Sequence, residues 1–351
     1  MEIGVGLDRN LGFSVDGFRE LARVAARLGY ASVWTNSMNG RESTQMCTQF
    51  WQASAEVVPG GLRTGISVVP ATFWTVPSLG SAAATTAEIT GGTFTLGIGS
   101  GDIHDLAQRR LLGLQEVGPL ALARDYLVTL RALLAGERVT YDGPTVKLDN
   151  LKLEVDMPRT PVILGALGPR MLRLAGEAAD GVGLNWCAPE QLAWSRARIA
   201  EGAASVGRDP SEVKVVEYIR VCVDDDEVAA RRAYMRALFR YAIARPGVPK
   251  HLGYRGHFGR MGFDEALSEL EERRDRGATL EELYDAMPVE LARMVGYFGP
   301  AAGAAAAFRR LSDGLDVALV RVVLARPTLE SAIAVMDACQ PSKVWAAQSV
   351  G

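Results

Sequence analysis

Eight times along the chain a short run of aliphatic and β-branched residues is followed by an amphipathic stretch. The strand-like runs are EIGVGL (2–7), ASVWTN (31–36), RTGISVVP (63–70), TFTLGIGSG (93–101), TPVILGA (160–166), DGVGLNW (180–186), EVKVVEYIRVCV (212–223) and LDVALVRVVL (315–324). Most are apolar on both faces, the pattern of parallel strands covered by crossover helices. Between them lie helical stretches with readable ends. The first has Ser14 as N-cap, Phe18, Leu21, Val24, Ala25 and Leu28 on one face, and Gly29 as its stop. Others run over 43–57, from Pro77, from Gly118 to Gly136, from Pro169, over 188–206, from Asp226 and over 328–338. Eight such units predict an α/β fold, a (β/α)8 TIM barrel forming one domain over 1–351, with an open doubly wound sheet as the alternative.

Two stretches break the rhythm. RVTYDGPTVKL (138–148) reads as a hairpin turning at Asp142-Gly143. Residues 240–300 show charged helical patches and no strand, predicting a helical insertion after the seventh strand that packs over the barrel mouth.

The charge balance removes whole classes of partner. A formal net charge of −3 and no dense cluster of Lys and Arg argue against nucleic acid. No apolar run approaches the roughly 20 residues that cross a bilayer, and MEIGVGLDRN lacks the pattern of a signal peptide, so no membrane role and a cytoplasmic location are expected. Cys47, Cys187, Cys222 and Cys339 form no CxxC pair, and His104, His251 and His257 form no metal-binding pattern. No metal is expected.

GALGPRMLRLAGEAADGVGLNW (165–186) opens with two glycines and no charge directly before a helix. The first N–H groups of a helix lack internal partners and carry the positive end of its dipole. With Gly165 and Gly168 clearing the approach, such a start fits an anion; an ordinary tight strand-to-helix connection explains the same residues. LGIGSGD (96–102) has GxGxG spacing with no helix directly after it, a poor match to a dinucleotide fingerprint.

Read together, TGISVVPATFWTVPSLGSAAATTAEITGGTFTLGIGSGD (64–102) and VILGALGPRMLRLAGEAADGVGLNW (162–186) resemble the bacterial luciferase-like superfamily, and within it the oxidoreductases that use the deazaflavin coenzyme F420, such as the methylenetetrahydromethanopterin reductases. The resemblance covers about residues 2–225 and the last strand. It implies a non-prolyl cis peptide at Ser67-Val68, bulging against the back of the cofactor ring. It implies that Gly99, Ser100 and Gly101 let the backbone approach the cofactor, with Asp102 reaching the active centre. Gly165, Ala166, Gly168, Pro169 and Arg170 correspond to the phosphate seat, and Asn36 to a cofactor contact. Where the F420 group commonly carries Asp-His at the end of the second strand, this chain has Asn36-Ser37, which removes a titrating group.

The proton donor is therefore sought elsewhere, with Asp102 first on position and His104 second on chemistry, since its ordinary pKa lies near neutrality. Ser37, Trp74, Trp186 and Glu217 near strand ends, with Tyr254, Arg255 and His257 in the insertion, are expected at a substrate site. Trp34 and Arg260 belong to the same neighbourhoods. Core packing and a solvated loop are the alternatives for these rings and charges. The function implied is hydride transfer between F420 and an organic substrate, a small molecule or peptide, through reduction of an unsaturated or carbonyl compound in specialised metabolism. An FMN-dependent monooxygenase on the same barrel, and a cofactor-binding member without catalysis, are the other readings. The resemblance also implies a homodimer.

Overall fold

The computed structural model describes residues 1–36, 40–101, 110 and 118–347. Eight strands close a parallel barrel: β1 (Glu2–Gly6), β2 (Ser32–Thr35), β3 (Arg63–Pro70), β4 (Phe94–Gly99), β7 (Val162–Gly165), β8 (Gly181–Asn185), β9 (Lys214–Val223) and β11 (Val317–Val323). The order runs β9-β11-β1-β2-β3-β4-β7-β8, and β8 pairs back to β9. That closure excludes the open doubly wound sheet. The fold is the TIM barrel that the eightfold alternation predicts.

Local signals act where the sequence places them. Helix α1 (Val15–Arg27) starts where the Ser14 side chain accepts from the Gly17 N–H, and it buries Phe18, Leu21, Val24 and Ala25. Helices α2 (Ser43–Ala55), α3 (Val76–Ile89), α4 (Pro119–Leu133), α5 (Pro169–Ala178), α6 (Pro189–Ser205) and α7 (Glu227–Ala242) follow, and the hairpin strands β5 (Val139–Asp142) and β6 (Lys147–Leu151) pair antiparallel.

Inside the barrel, Trp34, Ile163, Val216, Tyr218 and Leu319 form a buried cluster. Its two large rings fit because glycines on other barrel strands, Gly65 on β3 and Gly6 on β1, lie against them. A Cβ on Gly65 would lie 2.5 Å from the Trp34 ring, and one on Gly6 would lie 2.5 Å from the Tyr218 ring. A cavity of about 330 Å3 opens at the opposite end from the strand C-termini, among Glu2, Arg63, Asp180, Lys214 and Asp316.

After β9 the chain builds the expected insertion: α8 (Gly253–Phe258), a π-helical turn (Gly259–Phe263), α9 (Asp264–Asp275), α10 (Leu280–Asp285) and α11 (Val289–Val295). It has a core of its own, centred on Trp186, Tyr234, Leu238, Phe258 and Leu283. One expectation is corrected here. The region 240–300 does contain a strand, β10 (Gly296–Gly299), parallel to the upper half of β9 with Gly296 opposite Arg220. β9 is ten residues long and pairs with β8 only over Lys214–Tyr218, so its upper half has free backbone groups that β10 satisfies. Helices α12 (Ala301–Leu311), α13 (Leu329–Ala338) and α14 (Pro341–Ala346) complete the chain around β11.

Candidate active site

Two sets of side chains meet at the strand C-termini, where barrel enzymes carry their chemistry. The first lies over β3, β4 and β7. The Ser67-Val68 peptide is cis, as the resemblance implied, and the β3–β4 register slips between Ile66 and Val69. Val68 thereby leans across its neighbours: a Cβ on Gly99 would come within 2.7 Å of Val68 Cγ2, and one on Gly165 within 3.2 Å of Val68 Cγ1. Ser67 faces Gly183 in the same way, at 2.8 Å from Oγ. Gly101 has φ 62° and packs on Pro70, a conformation and spacing that exclude a side chain. Ser100 is half-buried beside it.

The helix start that follows β7 is bare. Gly168 is the N-cap of α5, no side chain among the described residues caps it, and a Cβ there would meet none of their atoms within 4 Å. Pro169 has no N–H, so the Arg170 and Met171 amides begin the helix. Ala166 is buried, its N–H donating to Gly183 O at 3.2 Å, while Arg170 is exposed. A second cation stands at this turn: the exposed Arg260 donates through Nη2 to Leu167 O at 3.1 Å.

The second set lies over β8, β9, β11 and β1. Alternation puts Arg220 and Arg321 on the inner face with Tyr218 and Leu319, and the register sets them directly opposite each other. Arg321 donates through Nε to Asp8 Oδ2 at 2.6 Å. Burial pulls the Arg321 pKa down, but the Asp8 carboxylate together with Tyr241 and Tyr218 more than offsets that and raises it overall. Arg220 stacks 3.6 Å above the Trp186 ring and donates through Nη1 to Asn185 Oδ1 at 2.6 Å. Burial, then the Arg321 charge, push its pKa down to about 10, so it stays cationic at neutral pH. Tyr241 on α7 faces this pair. Burial opposes its ionisation, yet the Arg321 and Arg220 charges win and lower its pKa, whereas burial raises that of Tyr254 to about 12.

Trp186 adopts φ 62°, a region rare for a bulky residue, and is fully buried. His257 holds it there. The Trp186 carbonyl can only accept, so His257 Nε2 carries the proton across 2.9 Å, and burial pushes the His257 pKa down to about 4. Tyr254 OH accepts from Asn185 Nδ2 at 2.7 Å. Arg255 is occupied within the insertion, bound to Glu271 at 2.9 Å and Asp264 at 2.8 Å, and both it and Glu271 are buried. Glu217 lies on the outer face of β9 and accepts from the Cys187 N–H at 2.7 Å. Burial raises its pKa to about 8, keeping the carboxyl protonated at neutral pH.

The structure thus gathers Ser67, Val68, Gly99, Gly101 and Gly165 under one rim, and brings Trp186 and Tyr254 to the arginine pair. It ties Arg255 and His257 into the insertion. Trp74 lies apart, packed on the outer core with its carbonyl bound by Tyr126. Trp34 is one layer below the rim, in the barrel interior. Asn36 has a buried Oδ1 without a hydrogen-bond partner among the described residues. Ser37, Asp102 and His104 lie outside the described residues. Sequence reasoning missed Asp8, Arg220, Arg321 and Tyr241, although YIRVCV and LVRVVL each carry a single charge inside an apolar strand.

The profile of the family described as luciferase-like monooxygenase matches residues 2–296. Among curated proteins, a 5,10-methylenetetrahydromethanopterin reductase of Methanolobus tindarius is 33% identical over 213 residues, 60% of this chain and 63% of that protein. The aligned part is thus under two thirds of that relative's length. A putative coenzyme F420-dependent oxidoreductase of Mycobacterium tuberculosis is 25% identical over 83% of this chain and 87% of that protein. Among solved structures, the F420-dependent tetrahydromethanopterin reductase of Methanopyrus kandleri superposes with a TM-score of 0.74 at 23% identity, covering 96% of this chain and 97% of that one. A monooxygenase of Streptomyces bottropensis gives a TM-score of 0.68 at 17% identity over 98% and 100%. Both share the barrel. On the extent of the profile match, the chain belongs to the luciferase-like monooxygenase family.

Proposed function

We propose that this protein is an F420-dependent oxidoreductase that transfers hydride between the deazaflavin and an organic substrate, reducing an unsaturated or carbonyl compound of specialised metabolism. The observation that carries the reading is the uncapped start of α5, with open space at Gly168 and two arginines, Arg170 and Arg260, beside it. That arrangement fits the phosphate of a tailed cofactor. The F420-dependent relatives favour a deazaflavin over a flavin there. When bound, coenzyme F420 supplies a two-electron hydride and does not readily form the oxygen adduct of reduced flavins.

The chain's own residues have separate tasks. The Arg170 and Met171 amides and the Arg260 guanidinium hold the phosphate. Val68 and Ser67 form a wall against the ring, and Asn36 Oδ1 takes a donor from it. Asp102, with His104 second, gives the proton that balances hydride delivery to a small-molecule or peptide substrate. Positioning of this kind removes the entropy cost of bringing the reactants together.

Turnover under anaerobic conditions, with reduced F420 and a panel of ketones, aldehydes and activated alkenes, tests the proposal. Oxidation of the cofactor without oxygen is the expected result. Activity only with reduced FMN and oxygen would replace this reading by an FMN-dependent monooxygenase.

A further inference from the structure

We propose that Arg220 anchors a substrate subsite at the barrel mouth and that the group it takes is a monoanionic carboxylate on a flat, apolar body. The proposal uses the hydride-transfer reading only in calling the ligand a substrate; the subsite itself stands on charge and geometry.

Arg220 is 2% exposed, and its Nη2 has no hydrogen-bond partner among the described residues. Its side-chain hydrogen-bond partners, Asn185 and the Tyr241 hydroxyl, bring no carboxylate to it. Among the described residues, the two nearby carboxyls do not balance it. Asp8 is bound to Arg321, and Glu217 points to the other face of β9, where burial keeps it protonated near neutrality. The described cluster therefore holds two guanidinium groups and one carboxylate. A buried cation without a counter-charge is costly, and a half-satisfied polar cluster more so. A ligand oxygen on Nη2 repairs both faults.

The surroundings define what else the ligand carries. Tyr254 accepts from Asn185, leaving its own O–H to donate. The Tyr241 ring lies 5.0 Å from the Arg220 guanidinium carbon. Trp186, Tyr241 and Tyr254 form a run of packed aromatic rings beside the guanidinium, with ring centroids 5.5 Å and 4.7 Å apart along the series. These donors with one unbalanced charge match a monoanion, and the rings match a planar group next to it. A phosphate dianion would leave the cluster one negative charge in excess.

The test is calorimetric titration of the full chain at neutral pH with benzoate, with benzamide as its neutral isostere, and with inorganic phosphate. Benzoate is expected to bind saturably and at least about tenfold more tightly than benzamide or phosphate. Arg220→Gln should lose at least about tenfold in benzoate affinity, while Arg220→Lys retains part of it. If Arg220→Gln fails to fold, as judged by circular dichroism, the comparison of benzoate with benzamide in the unaltered protein still decides.

Benzoate binding no better than benzamide overturns the proposal, as does unchanged benzoate affinity in a folded Arg220→Gln protein. A tyrosinate absorption at neutral pH that vanishes in Tyr241→Phe also overturns it, because Tyr241 would then be the counter-ion. Benzoate retained in protein saturated with F420 supports a substrate subsite, and benzoate displaced by F420 contradicts it. Benzoate binding through Arg220 with no F420 binding at all would remove the deazaflavin reading and leave the anion site standing.

Discussion

Gly168 shows how one residue separates stability from binding. Asp at an N-cap is at least as good as Gly for helix stability, by a few tenths of a kcal/mol, but here its carboxylate would occupy the space proposed for the cofactor's phosphate. Gly168→Asp should leave the melting temperature unchanged or slightly raised and weaken F420 binding by more than about tenfold, checked by calorimetry beside a thermal melt. Glu217 makes a second residue-scale prediction. Its folded pKa of about 8 lies above its ordinary value of 4.5, so the native state holds a proton that the unfolded chain releases. Stability is then fullest below 4.5 and is lost as pH rises towards about 8. Glu217→Gln keeps an acceptor for the Cys187 N–H and removes that loss. In urea titrations the two proteins should coincide at acid pH, with the variant more stable on the alkaline side by on the order of a few kcal/mol. His257 acts from the other side, its stability contribution falling as pH drops from 6.5 towards about 4.

Among elements, β3 carries the argument because its bulge and the glycines beside it are one packing unit. Gly99→Ala places a methyl 2.7 Å from Val68 Cγ2, an overpacking expected to cost about 1–3 kcal/mol. Val68→Ala in the same chain should recover most of that cost, a non-additivity that denaturant unfolding of the four proteins in the cycle would measure. The bounds of β3 were legible to the residue, since RTGISVVP is a β-branched run with a proline at its end. β10 was not legible. GYFG is four residues with two glycines and no β-branched side chain, and it becomes a strand only because β9 outruns β8. The site was legible in part for a related reason. Glycine-rich strand ends and a bare helix start are written locally, whereas the arginine pair depends on the register between β9 and β11, which no local pattern states. An arginine inside the apolar run of each strand, Arg220 in YIRVCV and Arg321 in LVRVVL, was the available signal.

The whole molecule is a closed cylinder whose first and last strands, β1 and β11, are tied at the mouth by Asp8 and Arg321. Asp8→Asn leaves two buried guanidinium groups without a carboxylate and should destabilise the protein by about 3–5 kcal/mol, read from the urea midpoint. Eightfold alternation made this architecture legible from the sequence, because parallel strands buried on both faces have few other ways to close. The insertion was legible as a break in that rhythm, but its role was not. Within it Arg255 is bound to Glu271, and His257 is bound to the Trp186 carbonyl. Above all, the uncapped amides after β7 are proposed to hold the anionic tail of a deazaflavin. Equilibrium titration of the protein with coenzyme F420 and with FMN, side by side in one buffer, decides this. Saturable F420 binding at least about tenfold tighter than FMN is the expected result; tighter FMN binding, or no binding of either, would contradict it.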